Sequence, residues 1–410
     1  MLTFDRRSFV GGALLAPAAL ALPRFAIAAP AALPPAIGQR ERLARLAKAR
    51  ALMQRNGLGA ILIEPGASLD YFTGVRWSRS ERLTAALIPA SGDPIIVTPF
   101  FEKPSVAESL AIPAEIRTWD EHDEPLKLVA NWLRERKLTA APIGIEESNR
   151  FFIVDRLKAE LPRLAIRNAN AVVRGCRMFK SPAELALMQA ASDITVAAIR
   201  ETHAKLREGM TPADISTLLE AAMVERGGTS PWALVLLGEA SAYPHGSGKP
   251  QAVKRGDVVL IDTGCAVRGY QADISRSFVF GGKPTREQRR VWEQVAQGQR
   301  IAMQAARIGA TAGSVDDAVR AAYTGWSYGP DYKLPGLSHR TGHGIGMEGH
   351  EPVNLVRGET TRLAPGMCFS NEPGIYLPGK FGIRLEDCFH MTASGPCYFS
   401  TPPASIDQPV

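Results

Sequence analysis

The chain has 410 residues, of which 45% are hydrophobic and 22% charged, and its formal net charge is +7. This length suggests about two domains, and the composition is that of an ordinary globular protein. No long lysine and arginine run with interleaved aromatic residues accompanies the positive charge, so nucleic acid is not an expected partner.

The N-terminus is predicted to be an export signal. Asp5-Arg6-Arg7-Ser8-Phe9-Val10 resembles a twin-arginine signal, although Asp5 stands where Ser or Thr is usual. The apolar stretch 10–22 that follows is shorter than the roughly 20 residues needed to span a bilayer. Ala26-Ile27-Ala28 offers a small-x-small cleavage site. We therefore expect residues 1–28 to be removed from a periplasmic or secreted protein that has no stable membrane insertion; the alternative is an uncleaved N-terminus.

Residues 29–172 are predicted to form an α/β domain. An amphipathic helix is expected over 38–56, with Leu43, Leu46, Ala47 and Leu52 near one face. Four short apolar runs predict strands at 60–63, 84–88, 95–97 and 143–145. Two further helices are expected at 125–136 and 149–160. Strands that alternate with helices favour this fold class.

The remaining residues, 173–410, are predicted to form an α+β domain. Ser181 is a plausible N-cap with Glu184 three residues later, which is the pattern of a capping box, and a long helix should follow. Thr211 begins a second helix in the same way. From residue 256 the pattern changes to strands with glycine turns, so helices are expected first and a sheet afterwards.

Two predicted hairpins each carry a pair of carboxylates. Asp262 ends one apolar run and Asp273 begins the next, so a turn midway between them would place them opposite each other. Glu372 and Glu386 repeat the arrangement about Gly379, which lies in a Leu-Pro-Gly-Lys turn signal. The alternative is that these acids are solvated residues beside turns.

Four carboxylates in one pocket would raise each other's pKa unless cations offset their charge. Two divalent cations would offset four negative charges and would activate a water for attack on a carbonyl. Oxygen ligands with one imidazole favour Mn²⁺ or a similar ion, with Co²⁺ or Zn²⁺ as alternatives.

The glycine-rich segment 341–352 supplies the imidazole. It contains His343 and His350, and its glycines and Pro352 predict a loop or distorted strand rather than a helix. Residues 344–349 also fit G-x-G-x-x-G, but a dinucleotide site needs a helix after this motif, and Pro352 argues against one.

Tyr243-Pro244-His245-Gly246 is predicted to be another exposed turn that carries a histidine. The other histidines are interpreted as structural or surface residues: His122, His203, His339 and His390. The five cysteines form no C-x-x-C pair, and we expect them to be mostly buried and reduced.

These motifs resemble the pita-bread metallopeptidases, which include aminopeptidase P, prolidase, methionine aminopeptidase and the metal-free creatinase. The matching stretches are Ile261-Asp262-Thr263-Gly264, Ala272-Asp273-Ile274-Ser275-Arg276-Ser277-Phe278, Thr341-Gly342-His343-Gly344-Ile345-Gly346, Glu372-Pro373-Gly374-Ile375-Tyr376 and Ile383-Arg384-Leu385-Glu386-Asp387. The first domain is similar to the creatinase-type N-terminal domain, on the evidence of Leu69-Asp70-Tyr71-Phe72-Thr73-Gly74. The resemblance implies a pita-bread fold for residues 173–410.

The resemblance also implies the metal ligands. Asp262 would bind one metal, Asp273 and Glu386 would bridge both, and His343 and Glu372 would complete the other. Glu372 would also be the acid and base that handles the proton of the attacking water.

Four further side chains are implied around the metals. His245 and His350 would hydrogen-bond the scissile carbonyl and the developing oxyanion. Arg384 would orient the carboxylate of Glu386, two residues away on the same sheet face. Tyr376 would lie near the substrate, although packing alone would explain a strand tyrosine equally well.

The function implied is hydrolysis of the bond between an N-terminal residue and a following proline, by an aminopeptidase P or a prolidase. The substrate would be a small peptide with proline second, and the protein would be a homo-oligomer. Alternatives on the same fold are a metal-dependent lyase or C–N hydrolase that acts on a small molecule, and a non-catalytic binding module. A plain methionine aminopeptidase is disfavoured by the additional N-terminal domain and the export signal.

Overall fold

In the computed structural model, which describes residues 32–410, the first half of the chain folds around a six-stranded sheet. Its helices are α1 (Gln39–Asn56), α2 (Ala67–Thr73), α3 (Lys103–Ser109), α4 (Pro125–Glu135), α5 (Phe151–Glu160) and α6 (Asn170–Arg177). Its strands are β1 (Ala60–Ile63), β2 (Ala85–Pro89), β3 (Ile95–Pro99), β4 (Glu115–Trp119), β5 (Ile143–Ile145) and β6 (Ile166–Asn168). The order is β4-β3-β2-β1-β5-β6, with only β2 antiparallel to its neighbours. The predicted α/β class is confirmed.

Helix α1 buries Leu46 and part of Leu52, as predicted, but Leu43 and Ala47 of the predicted face are exposed. Leu43 is 43% exposed, whereas Arg42 and Arg45 are buried. Arg42 pairs with Asp70, and Arg45 pairs with Glu184 of the second half of the chain. Arginine is rarely buried without such a partner, so a pattern of apolar residues alone could not identify this face.

The second half contains four helices and eleven strands. The helices are α7 (Pro182–Lys205), α8 (Pro212–Glu225), α9 (Arg286–Ala305) and α10 (Ala312–Gly325). The strands are β7 (Thr229–Leu237), β8 (Val258–Val267), β9 (Tyr270–Gln271), β10 (Ile274–Val279), β11 (Gly342–Gly344), β12 (Glu351–Leu355), β13 (Cys368–Asn371), β14 (Gly374–Leu377), β15 (Phe381–Arg384), β16 (Asp387–Thr392) and β17 (Gly395–Tyr398). Among the described residues, no helix is long and apolar enough to cross a membrane.

Antiparallel sheets form the centre of this half. They have the orders β10-β8-β7, with β9 beside β8, β12-β11-β13-β16-β17, and β14-β15. Helices α7 and α8 pack on β7 and β8, and helices α9 and α10 pack on strands from β12 to β15. The sheets therefore lie between two helix pairs, which is an α+β arrangement.

Capping residues mark the helix starts in this half. The predicted capping boxes of Ser181 and Thr211 are both present, at the N-termini of α7 and α8. The order of helices first and sheet afterwards is wrong, because α9 and α10 interrupt the strands. A third capping box, formed by Thr285 and Gln288, begins α9. This pair is visible in the sequence and indicates the helix that the predicted order left out.

Candidate metal centre and active site

A cavity of about 860 Å³ opens among the strands of the second half. Its wall includes all the candidate metal ligands and three of the other candidate site residues: Asp262, Asp273, His343, Glu372, Glu386, His245, His350 and Arg384. Tyr376 lies behind the wall and is completely buried. Side chains that are more than 140 residues apart in the sequence thus meet in one cavity.

The first hairpin brings Asp262 and Asp273 together, although not directly opposite each other. Its turn residues are Arg268 and Gly269, with φ angles of 52° and 87°, and positive φ at both central residues is typical of a two-residue hairpin turn. The turn lies one position later than the sequence midpoint, so Asp262 faces Ser275. Asp273 lies diagonally beside Asp262, and oxygen atoms of both are within 4.8 Å of each other.

The second hairpin has the register that the sequence predicts, centred on Gly379. Glu372 and Glu386 occupy facing positions between the β14–β15 ladder and the β13–β16 ladder. The two strands separate there. The backbone N–H of Glu372 donates to the carbonyl of Thr341 at 2.9 Å, and Glu386 exchanges backbone hydrogen bonds with Ser275. Each carboxylate thus lies where its strand changes partner.

His343 presents a nitrogen lone pair to the carboxylates. Its Nδ1 lies 3.0 Å from the carbonyl oxygen of Gly344, and because a carbonyl only accepts, Nδ1 carries the proton. Its Nε2 lies 3.4 Å from Glu372 and 3.7 Å from Asp273. Burial lowers the pKa of His343 well below its usual range. A neutral imidazole with a free Nε2 is the form that binds a metal ion.

Two buried oxygens of this cluster, Asp273 Oδ1 and Glu386 Oε1, have no hydrogen-bond partner among the described residues. Burial and the neighbouring carboxylates raise the pKa of Asp273 and of Glu386, and burial raises the pKa of Glu372 to about 7. Divalent cations would bind the free oxygens and offset the negative charge. The donor set, mostly oxygen with one imidazole, fits such ions.

Arg384 pairs with Asp262 rather than with Glu386. Its Nη2 lies 2.5 Å from Asp262 Oδ2, and its Nε donates to the hydroxyl of Ser275 at 3.0 Å. That hydroxyl lies 2.9 Å from Asp262 and 2.8 Å from Glu386. Arg384 thus holds Asp262 directly, and it reaches the carboxylate of Glu386 only through the hydroxyl of Ser275. The reason is that Glu386 has left the hairpin of Arg384 to pair with Ser275, which connects the two side chains.

Tyr376 joins Arg384 to a histidine whose place in the cavity the sequence analysis missed. His339 Nδ1 lies 2.8 Å from the carbonyl of Arg340, so Nδ1 donates and Nε2 accepts from Tyr376 Oη, also at 2.8 Å. Arg384 donates to the same hydroxyl at 3.2 Å. Burial lowers the pKa of His339 to about 3. Its position four residues before His343 was the available signal, and His339 lines the cavity.

His245 and His350 lie at the exposed rim of the cavity. The ring centroid of His350 is 4.1 Å from that of His343, and burial lowers the pKa of His350. Neither rim histidine is hydrogen-bonded to another described residue, and one ring nitrogen of His350 lies within 4.8 Å of ligand atoms of Asp273 and His343. This is compatible with hydrogen bonding to a substrate.

The other histidines and the cysteines lie outside the cavity wall. The side chain of His122 is 85% exposed, while His203 packs on Phe278 and His390 on Phe399. Four cysteines are buried, and Cys397 is exposed. These positions agree with a structural or surface role for these histidines.

A buried ion cluster holds the loop between β11 and β12. The carboxylate of Glu351 contacts Arg177 at 2.5 Å and Lys180 at 3.0 Å, and it accepts hydrogen bonds from the backbone N–H groups of Met347 and Glu348. Burial opposes ionisation, but the two cations lower the pKa of Glu351 to about 2. The loop that ends at the rim histidine is thereby held against the end of α6 and the residues that follow it.

The glycines of this segment permit close approach. A Cβ on Gly342 would lie 2.1 Å from the carbonyl oxygen of Ser370, and one on Gly346 would lie 2.7 Å from Lys180 Cε. The segment continues into β12 rather than into a helix, which excludes the dinucleotide-binding interpretation.

Two family models match the chain. Metallopeptidase family M24 matches residues 186–393, and the creatinase/prolidase N-terminal domain matches residues 45–179.

Proteins of the same organisation are similar along most of their length. A probable dipeptidase, PepE, from Mycobacterium tuberculosis is 35% identical over 363 residues, which cover 86% of this chain and 92% of the relative. An Xaa-Pro dipeptidase from Pyrococcus furiosus is 29% identical over 360 residues, or 87% of this chain and 96% of the relative. The crystal structure of the dipeptidase PepE from Mycobacterium ulcerans superposes with a TM-score of 0.82 at 32% identity, covering 90% of this chain and 98% of that one.

Proposed function

The chain belongs to metallopeptidase family M24, and from this premise we propose that it hydrolyses the peptide bond between an N-terminal residue and a following proline. The names of its relatives, dipeptidase and Xaa-Pro dipeptidase, support this substrate class. The observation that carries the proposal is that four carboxylates and one imidazole converge, and that two buried oxygens of these carboxylates have no hydrogen-bond partner among the described residues.

The proposed cofactor is a pair of divalent cations, with Mn²⁺ first and Co²⁺ or Zn²⁺ as alternatives. Asp262, Asp273 and Glu386 form one group of donors within 4.8 Å, and His343, Glu372 and Glu386 form another. Glu386 belongs to both groups, and Asp273 also lies within 4.8 Å of His343 and His350, so Asp273 and Glu386 could each serve both ions. When bound, such ions polarise a carbonyl oxygen and lower the pKa of water.

The chain's own residues supply proton transfer and orientation. Glu372 is the proposed base, because its carboxylate lines the cavity and a positioned carboxylate can take a proton from water. It would take the proton of the attacking water and return it to the departing proline nitrogen. His245 and His350 would donate hydrogen bonds to the carbonyl oxygen as negative charge develops on it. Arg384 and Ser275 would hold Asp262 in place.

The test is product release from Gly-Pro and from an Xaa-Pro-Xaa tripeptide by protein loaded with Mn²⁺. Cleavage of the tripeptide would establish an aminopeptidase P, and cleavage of the dipeptide alone would establish a prolidase. If neither peptide is cut, the peptidase proposal fails in favour of a small-molecule lyase or C–N hydrolase.

We also propose that the protein is exported and that it forms a homo-oligomer. Asp5-Arg6-Arg7-Ser8-Phe9-Val10 and the Ala26-Ile27-Ala28 site support export by the twin-arginine route to the periplasm or beyond; both lie outside the described residues.

Phe100, Phe101 and Phe151 are each more than half exposed on the first half of the chain. Such exposed apolar side chains support a homo-oligomer, which light scattering after gel filtration would test.

A further inference from the structure

The cavity wall contains two arginines with opposite surroundings. Arg384 is fully engaged: its guanidinium contacts Asp262, Ser275, Tyr376 and the carbonyl of Pro244. Arg340 lines the same cavity and is half-buried. Its guanidinium makes no hydrogen bond or ion pair with any residue in the part of the chain that the structure describes. The cavity thus holds one cation whose donors remain available.

The backbone that carries Arg340 is held on both sides. Arg320 donates to the carbonyl of His339, the residue before it. Thr341, the residue after it, donates to Asp316 from both its backbone N–H, at 3.1 Å, and its hydroxyl, at 2.7 Å. Arg320 and Asp316 form a buried ion pair of 2.7 Å. The side chain of Arg340 therefore projects from a rigid support.

This support lies beside the carboxylates. The carbonyl of Thr341 accepts the backbone N–H of Glu372 at 2.9 Å, so Arg340 is the neighbour of the residue that holds the backbone of the proposed base. Because Arg340 lines the cavity together with the metal-ligand candidates, a ligand held by its guanidinium would share this cavity with a carbonyl placed over them.

The dimensions of a dipeptide substrate connect Arg340 with the metal-ligand cluster. In an Xaa-Pro dipeptide, three bonds separate the scissile carbonyl carbon from the carbon of the C-terminal carboxylate, a span under about 4 Å. A cation that recognises this carboxylate must therefore lie at the edge of the metal-ligand cluster, where Arg340 is attached. In a longer peptide the same position holds a neutral amide carbonyl.

We propose that Arg340 binds the C-terminal carboxylate of the substrate and so makes Xaa-Pro dipeptides the preferred substrate class. This inference rests on the proposed function. A guanidinium offers a carboxylate two parallel hydrogen bonds, and charge-assisted bonds are roughly twice as strong as neutral ones. A peptide amide or an amidated C-terminus accepts from Arg340 without the charge, so it forfeits most of this gain.

The test compares Ala-Pro with Ala-prolinamide, which differ only in the charge of the C-terminus. For the wild-type protein loaded with Mn²⁺ we expect kcat/KM to be roughly 10- to 100-fold higher for Ala-Pro, as expected for the loss of a charged hydrogen bond. Arg340→Met should lower the value for Ala-Pro much more than the value for the amide, which loses only a neutral hydrogen bond, so that the preference for Ala-Pro disappears. Arg340→Lys should retain part of the preference, and Arg300→Met, at an exposed position of α9, should retain all of it.

Product binding supplies a second readout that does not depend on turnover. Calorimetric titration should show that proline binds the metal-loaded protein more tightly than prolinamide, and that Arg340→Met removes the difference. Equal rates for both peptides, unaltered by Arg340→Met, would overturn the inference and leave the peptidase proposal standing. If the wild-type protein cuts neither peptide, the proposed function fails, and proline binding that is insensitive to Arg340→Met would then overturn the inference as well.

Discussion

The guanidinium of Arg384 lies 2.5 Å from Oδ2 of Asp262, and the two side chains are only 4% and 13% exposed. The arginine therefore fixes the orientation of a candidate metal ligand without itself being able to bind a metal.

Replacing this arginine should weaken metal binding. Arg384→Met leaves Asp262 free to rotate, and we expect the dissociation constant for Mn²⁺ to rise by about 10- to 100-fold, the usual cost of losing such a partner. Calorimetric titration of metal-free protein measures this change. Arg290→Met is the control, since Arg290 is 63% exposed; equal affinities for both variants would contradict the role given to Arg384.

Glu372→Gln should stop catalysis while the fold persists. The amide keeps the size of the side chain but cannot accept the proton of the attacking water, so kcat should fall by about 10²- to 10⁴-fold. Circular dichroism and the unfolding temperature should change little. Glu225→Gln, at an exposed position of α8, provides the comparison, and retained activity in Glu372→Gln would refute its assignment as the base.

His245→Ala should lower activity without removing metal. His245 is at the cavity rim and outside the ligand groups, so we expect kcat/KM to fall while elemental analysis gives the metal content of the wild-type protein. Metal loss in this variant would mean that the ligands are misassigned.

The ion cluster of Glu351 predicts a pH-dependent stability. The pKa of Glu351 is about 2 in the folded protein, against about 4.3 for an unperturbed glutamate. A lowered pKa stabilises the fold above the unfolded value, and this contribution is lost as the pH falls from about 4.3 towards 2. Glu351→Gln should therefore cost about 3–5 kcal/mol at pH 7, and the cost should shrink below pH 4.

Urea unfolding between pH 7 and pH 3 measures this dependence. Glu348→Gln is the matched control, because Glu348 also contacts Arg177 but its side chain is 54% exposed, and its loss should cost under about 1 kcal/mol. A cost for Glu351→Gln that stays constant with pH would show that the cluster acts through packing alone.

The proposed export signal is tested by its two arginines. With Arg6→Lys and Arg7→Lys together, we expect the protein to remain in the cytoplasm at its full length, because the signal resembles one read through paired arginines. Fractionation and N-terminal sequencing distinguish this product from a mature form that begins after Ala28. Export of the doubly substituted protein would exclude the twin-arginine route.

The two hairpins show how far the sequence determines the site. Glu372 and Glu386 could be paired because a proline and a glycine fix their turn at Gly379. The turn of Arg268 and Gly269 carries a weaker signal, since arginine seldom adopts a positive φ, and the sequence midpoint was one residue early.

Other features depended on tertiary partners. Arg45 is buried against Glu184 and Tyr270, far along the chain, and His339 is hydrogen-bonded to Tyr376. Spacing within one segment can suggest that a side chain faces the cavity, but it cannot identify a partner in another segment. The number of candidate ligands and their chemistry could be predicted from the sequence, whereas the hydrogen bonds that orient them required the fold.

The separation of the strands at Glu372 and Glu386 has a consequence for folding kinetics. Glu372 needs Thr341, just before β11, as its new neighbour, and Glu386 needs Ser275 of β10. The cluster is therefore incomplete until these segments, which are joined by long loops, have come together. Contacts so distant in sequence form late and slowly. High-affinity binding of the metal should therefore be among the last events of refolding. Its rate would report the rate at which the native state is completed.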